Sequence, residues 1–237
     1  MPAYRAVNAA LQGAPRRGAE DIFQCPAVDG PHGRRLARPT RATGQVERVV
    51  YQRYAYWCDK GHFERLLQGV QQPDTDEVMV DSTCCRAHQS SAGARKSSGA
   101  QAIGITRGGR NTKIHTVCDA LGNPLRFVLT AGQRHDSKPV PELLYGLAAK
   151  ALVADKACDS DKIVQSAQAQ GMQVIIPCKV NRKKQRALDR SRYMARHLVE
   201  NLFQRMRVFR RVATRYDKLD VTFLGFVHIA GIMKWLH

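Results

Sequence analysis

Acidic residues are scarce in this chain. Its 237 residues hold 20 Asp and Glu against 38 Lys and Arg, a formal charge of +18. Such an imbalance repels itself, and a polyanion relieves it by releasing counterions, which makes nucleic acid the leading partner. Long apolar runs are also missing. None approaches the ~18 residues a membrane span needs, and no signal-peptide pattern is present, so neither membrane insertion nor export is supported. The seven cysteines, Cys25, Cys58, Cys84, Cys85, Cys118, Cys158 and Cys178, include no pair at the C-x-x-C spacing of a zinc or redox motif. His88 and His115 lie near cysteines but complete no second spaced pair. Reduced, mostly buried thiols in a cytoplasmic protein are the simplest reading. No internal repeat is evident.

What is present is an apolar content of 43%, enough for a proper core. Residues 1–47, rich in Pro, Gly, Ala and Arg without apolar periodicity, read as an irregular, poorly ordered basic arm. Residues 48–72 carry Tyr51, Tyr54, Trp57, Phe63, Leu66 and Leu67 at helical spacing, interrupted by Gly61, and predict two short helices. "EVMVDST" predicts a buried strand ending at Asp81, and residues 88–111 a mobile, basic Gly/Ser/Ala loop. "TKIHTVCDALGNPLRFVLTAG" predicts a hairpin turning at "LGNP". A proline-started helix, a strand ending at Asp155, a helix from about Ser160 to Gln170, the strand "GMQVIIPCKV" and a basic loop, "NRKKQRALDR", follow. A long helix over Ser191–Arg211 and an apolar helix at "FLGFVHIAGIMKWL" complete the order, which is that of a mixed α/β sheet with helices on its faces.

Within Ser191–Arg211 the only acidic residue is Glu200. At 100° per residue, Tyr193, Arg196 and Arg207 fall with Glu200 in a sector of roughly 60°. Leu198, Leu202, Met206 and Phe209 lie opposite. An exposed Glu–Arg pair on a solvated face would explain the same pattern. Asp81 and Asp155, each just beyond an apolar strand where α/β sheets place their sites, favour function over that reading, although a strand-end Asp is often only a turn former or cap. Three hard oxygen donors suit Mg²⁺ or Mn²⁺, and two such ions ~3.5–4 Å apart promote phosphoryl transfer. Lys113 and His115 share one face of a hairpin strand and are read as DNA-facing. Asp136 is read as a turn-capping residue ahead of a site role, Asp159 and Asp161 as the start of the next helix, and "NRKKQR" as a non-specific phosphate contact.

From about Asp76 onward the chain resembles the DDE transposases of bacterial insertion sequences, especially the family numbered five. The matching stretches include "VDST", "RAHQ", "RGGRNTKIH", "DALGNPLRFVLTAGQRHD" and "ADKACDSD". The longest, "RYMARHLVENLFQRMRVFRRVATRYDK", contains the signature Tyr-x2-Arg-x3-Glu-x6-Lys as Tyr193, Arg196, Glu200 and Arg207. The resemblance implies a ribonuclease H-like fold over residues 76–237, with residues 48–72 as the remnant of an N-terminal DNA-binding domain. It implies a catalytic, metal-binding triad of Asp81, Asp155 and Glu200, holding two Mg²⁺ or Mn²⁺ ions. Tyr193, Arg196, Arg207 and Arg86 would contact DNA. The implied activity is metal-dependent strand cleavage and strand transfer by a dimer or higher assembly on element ends and target DNA, at the nucleoid of a bacterial cytoplasm. Four departures stand out: Arg207 replaces the usual lysine, Cys158 a tyrosine, Cys84–Cys85 aliphatic residues, and residues 1–47 do not resemble the family's N-terminal helical domain, as if a frameshift or an alternative start had replaced it. A copy reduced to DNA binding is the alternative reading, and a structure-selective nuclease on the same fold would cut without joining.

Overall fold

The computed structural model describes residues 41–94, 99, 101–182 and 185–236. The basic arm assigned to residues 1–47 therefore falls outside the described residues up to position 40. From position 41 the chain is helical: α1 spans Arg41–Asp59 and α2 His62–Val70, joined at Gly61, whose φ of 64° is readily adopted only by glycine. Both pack on the last helix, α8 (Asp220–Leu236), burying Tyr54, Trp57, Cys58 and Phe63 against Val221, Phe226 and Ile229. Tyr54 Oη donates to the Thr222 carbonyl at 2.6 Å, which satisfies a phenol that burial would otherwise leave costly. Residues 48–72 are thus fastened to the main body.

Among the described residues the sheet has seven strands. β1 (Glu77–Ala87) is central. Antiparallel β3 (Gly109–Cys118) lies on one side, followed by β4 (Pro124–Ala131), while β2 (Gly104–Thr106) pairs with the start of β3. On the other side lie parallel β5 (Ala151–Ala154) and then β6 (Gln173–Ile175), and the two-residue β7 (Thr214–Arg215) pairs with the far end of β1. Three antiparallel strands continued by parallel ones, with helices on both faces, form the mixed α/β arrangement of a ribonuclease H-like fold. The "LGNP" hairpin is present. Its turn is organised by fully buried Asp119, which accepts the N–H groups of Leu121 and Asn123 at 3.0 and 2.7 Å. The segment read as a mobile loop over residues 88–111 instead contains β2 and the start of β3, because Gly109, with a φ of 92°, lets the chain double back.

Strand alternation separates two cores. Val78 and Val80 face α3 (Val140–Leu144) and α4 (Asp161–Ala169), with Leu143, Leu144 and Ile163 in the same cluster. Met79 and Cys85 face the opposite layer, where Val199, Leu202, Phe203 and Met206 cover them. These four belong to α6 (His197–Met206) and repeat at the spacing of one helix face. The helix expected over Ser191–Arg211 is divided into α5 (Arg190–Tyr193), a 3-10 turn at Met194–Arg196, α6 and α7 (Arg210–Ala213). Phe209 consequently leaves the apolar stripe to become the residue before α7 and is 39% exposed.

Candidate active site

The register of β1 and β5 sets the site. Their parallel pairing ends with Val80 opposite Ala154. Neighbouring strands are ~4.8 Å apart, so the next residues, Asp81 and Asp155, come side by side at the end of the ladder. The strand itself does not end at Asp81, as the sequence suggested; it runs six residues further, supported by β3. Only its parallel partner stops. Asp155 leaves the sheet and accepts the Lys156 N–H at 2.7 Å, opening a 3-10 turn over Lys156–Cys158.

Asp81 points to the α6 side, where Oδ1 accepts the Ser82 N–H at 2.8 Å and Oδ2 accepts from Arg196 at 3.2 Å. The same guanidinium binds Glu200, one helical turn on. Arg196 therefore ties the helical carboxylate to the strand carboxylate. Burial raises the pKa of Asp81, and the negative charges of Glu200 and Asp155 raise it further against the opposing pull of Ser82 and Arg196. Burial works to lower the Arg196 pKa, but Asp81 and Glu200 outweigh it and hold the guanidinium charged. The Tyr193 phenol is raised mainly by burial, with Asp155 and Asp81 adding to the shift.

Asp81 and Asp155 line one small cleft of about 30 Å³, shared with Ser82, His115, Asp136 and Cys158. This is room for roughly one water-sized species. Burial, together with the three nearby aspartates, pushes the Cys158 thiol up to about 12, which disfavours the nucleophilic thiolate. The oxygen donors of Asp81 and Asp155 suit a hard divalent cation, and their mutual repulsion is what such a cation relieves. Glu200 is linked to Asp81 by hydrogen bonds through Arg196. Among the described residues, no three acidic, His or Cys side chains gather closely enough to hold a metal ion as they stand.

Residues 72–233 match the family described as Transposase DDE domain, more than half of the chain. The chain belongs to the DDE transposases. It is 37% identical over 128 residues to a putative transposase for insertion sequence element IS6501 of Brucella ovis, covering 53% of this chain and 98% of that one. It is also 40% identical over 53 residues to an uncharacterized protein, y4sN, of Sinorhizobium fredii, covering 22% of this chain and 42% of that one. Among solved structures it is similar to the piggyBac transposase in a synaptic complex with hairpin DNA, at a TM-score of 0.48 and 10% identity, over 98% of this chain and 64% of that one. A DDE transposase is an enzyme of the nuclease or transferase kind, and the family generally uses divalent metal ions.

Several side chains of this transposase lie elsewhere than the sequence suggested. His115, read as DNA-facing, is 1% exposed and bonded to Thr130 Oγ1 at 2.7 Å, because its face of β3 turns toward the cleft. Lys113 is held to Asp136 at 2.8 Å and to the Arg134 carbonyl at 2.9 Å. Arg207 is exposed and donates to Thr83 Oγ1, and Arg86 is exposed near the end of β1. Asp159 does not start a helix; Ser160 caps α4. The buried Asp159 carboxylate instead anchors Arg182 and Arg186 at 2.9 and 2.7 Å, so these two arginines of the basic loop are engaged internally. The six cysteines within the described residues are all free, and Cys58, Cys85, Cys118 and Cys158 are buried. Among the described residues, no helix is long and apolar enough to cross a membrane.

Asp136 and Ser82 are the site residues that sequence reasoning undervalued. A single aspartate in "GQRHD" resembles any turn residue, and nothing in local spacing signals its contact with a strand 54 residues earlier.

Proposed function

We propose that this transposase cuts a DNA strand at the end of an insertion sequence of the family-five type and joins the exposed 3′-hydroxyl to a target phosphodiester. Support comes above all from one observation: Asp81 and Asp155 end the β1–β5 ladder side by side in one cleft, with Arg196 tying Glu200 to Asp81. Asp81, Asp155 and Glu200 are the residues that would hold Mg²⁺ or Mn²⁺. A pair of such ions, when bound, supplies Lewis-acid activation of an attacking oxygen and charge stabilisation of a leaving one.

The protein's own groups then bind and orient. Arg196 exchanges a carboxylate for a phosphodiester oxygen, a swap its planar fork suits. Tyr193, Arg207 and Arg86 hold the backbone leading to the cleft, and the charge of +18 supplies the general attraction for element ends and target. Two ends must be joined, which calls for a dimer or larger assembly on DNA, in a cytoplasm that gives access to the nucleoid.

The test is incubation of the full chain with duplexes carrying the inverted repeats that flank its gene, with Mg²⁺ or Mn²⁺. Metal-dependent nicking and strand transfer that vanish in Asp155→Ala support the proposal. Shifted DNA with neither product in any divalent metal would reduce the chain to a DNA-binding protein. Cutting without joining would make it a nuclease.

A further inference from the structure

We propose that Asp136 is a positioning residue of the carboxylate cleft: acting through Ser82 it fixes the orientation of Asp81, and Lys113 in turn fixes Asp136. The inference rests on Asp81 serving as a cation ligand, and it goes beyond the triad.

Three elements meet at one oxygen. Asp136, in the connection between β4 and α3, accepts at Oδ1 from Ser82 Oγ on β1 at 2.7 Å and from Lys113 Nζ on β3 at 2.8 Å. Ser82 bonds two carboxylates at once, since its N–H goes to Asp81 Oδ1 at 2.8 Å while its hydroxyl goes to Asp136. The chain Lys113–Asp136–Ser82–Asp81 is therefore continuous. Strand pairing places its members: Ser82 lies opposite His115 and Cys84 opposite Lys113 across the β1–β3 ladder, so Lys113 and Ser82 project to the same face. Lys113 is only 15% exposed and also donates to the Arg134 carbonyl at 2.9 Å, which pins the connection carrying Asp136.

The ordinary reading of such an aspartate is a turn cap, and the hydrogen bonds do not support it. Among the described residues no backbone N–H donates to Asp136. The cap of that turn is His135, which accepts the Ser137 N–H at 3.2 Å. Asp136 Oδ2 meets no donor among the described residues, and Asp136 lines the cleft beside Asp81 and Asp155. A charge placed there without a turn to stabilise, and neutralised by a half-buried lysine, is explained by the group it holds. An acidic ligand kept in one orientation by an outer partner binds its cation more tightly, and losing such partners typically costs about 10–100-fold in affinity.

The experiment measures Mn²⁺ affinity of the full chain by electron paramagnetic resonance, with thermal unfolding of each variant alongside. Asp136→Ala and Ser82→Ala should each weaken Mn²⁺ binding by about tenfold or more, and the double variant should be no worse than the weaker single, because both interrupt one chain of bonds. Ser82→Thr, which keeps the hydroxyl, should bind as the unaltered chain does. Unaltered affinity in Asp136→Ala and Ser82→Ala, or losses that multiply in the double variant, would overturn the inference. Weaker binding that merely tracks a lowered melting temperature, and is not restored by Ser82→Thr, would also overturn it. Asp81→Asn is the reference: if it binds Mn²⁺ as well as the unaltered chain, the cation site itself is misassigned and both readings fall together.

Discussion

Arg196 reaches Asp81 across 115 residues of sequence and binds its carboxylate at 3.2 Å. The same side chain holds Glu200, so one guanidinium stands where the charge of a divalent cation would otherwise be felt by both acids. It acts in two directions. Removing it frees donor oxygens for metal and takes away a cation aimed at the scissile phosphate. Arg196→Ala should therefore bind Mn²⁺ more tightly while cleaving element-end DNA about 10²-fold more slowly, the size expected for losing a charge-stabilising donor. Arg196→Lys, which keeps the charge without the planar fork, should fall between. Titration with Mn²⁺ and a nicking time course on the same preparations check both signs; loss of metal binding in Arg196→Ala would mean that the ion pair builds the site instead of competing for it.

Asp159 inverts that arrangement, one carboxylate holding a pair of arginines. Its side chain is fully buried, and it accepts from Arg182, Arg186 and the Lys179 N–H, the last at 2.8 Å. Removing one member of a buried ion group leaves the others charged and unpaired, which typically costs about 3–5 kcal/mol. Asp159→Ala should lower the melting temperature accordingly and expose the 179–186 segment to trypsin. Denaturant unfolding and limited proteolysis measure the two effects. An unchanged cleavage pattern would show that the loop is held by something else.

How much of this was legible beforehand varies by residue. The strand before Asp155, the Ser160-capped helix and the "LGNP" hairpin were readable, because each rests on local signals: a four-residue apolar run, a capping serine and a turn. Asp81 is legible although its strand runs on past it to Ala87. The apolar run stops where β5 stops, whereas β1 continues on the strength of pairing with β3, which no local pattern encodes. Helical spacing found the Arg196–Glu200 pair but assumed an unbroken helix, and the turn at Met194–Arg196 and the end at Met206 moved Phe209 off the buried face. Asp136, Ser82 and Asp159 act through contacts 20 to 54 residues distant in sequence. Such contacts become visible only once the sheet is assembled.

The seam between α1 and α8 gives a test of packing far from the chemistry. A methyl group on Gly225 would fall against Cys58 Sγ and 2.9 Å from Tyr54 Oη. Both neighbours are buried in the aromatic cluster and have little room to retreat. Gly225→Ala gains helix propensity yet should destabilise the protein by about 1–3 kcal/mol through overpacking. Adding Cys58→Ala, which vacates the position of the sulfur, should recover part of the loss. Thermal unfolding of the unaltered chain and these two variants settles it, and a stabilised Gly225→Ala would show that α1 can shift outward freely.

Acid should loosen the same region through His228. This histidine is 6% exposed, its ring lies 6.0 Å from that of Phe127, and burial lowers its pKa from 6.5 to about 4. The folded chain thus keeps it neutral over a range in which the unfolded chain binds a proton. Stability rises with pH wherever the unfolded state binds more protons, so between about pH 4 and 6.5 this one group contributes a slope of up to ~1.4 kcal/mol per pH unit, vanishing outside that window. His115, also lowered to about 4 by burial, adds a second such slope. His228→Leu fills the site with an apolar group that does not titrate. Its unfolding free energy, measured in urea from pH 4 to 7, should therefore climb less steeply than that of the unaltered chain, by about one proton's worth, and the two curves should run parallel above pH 7. Equal slopes throughout would mean that His228 is protonated in the folded protein, and that the core between α8 and β4 is wetter than its packing implies.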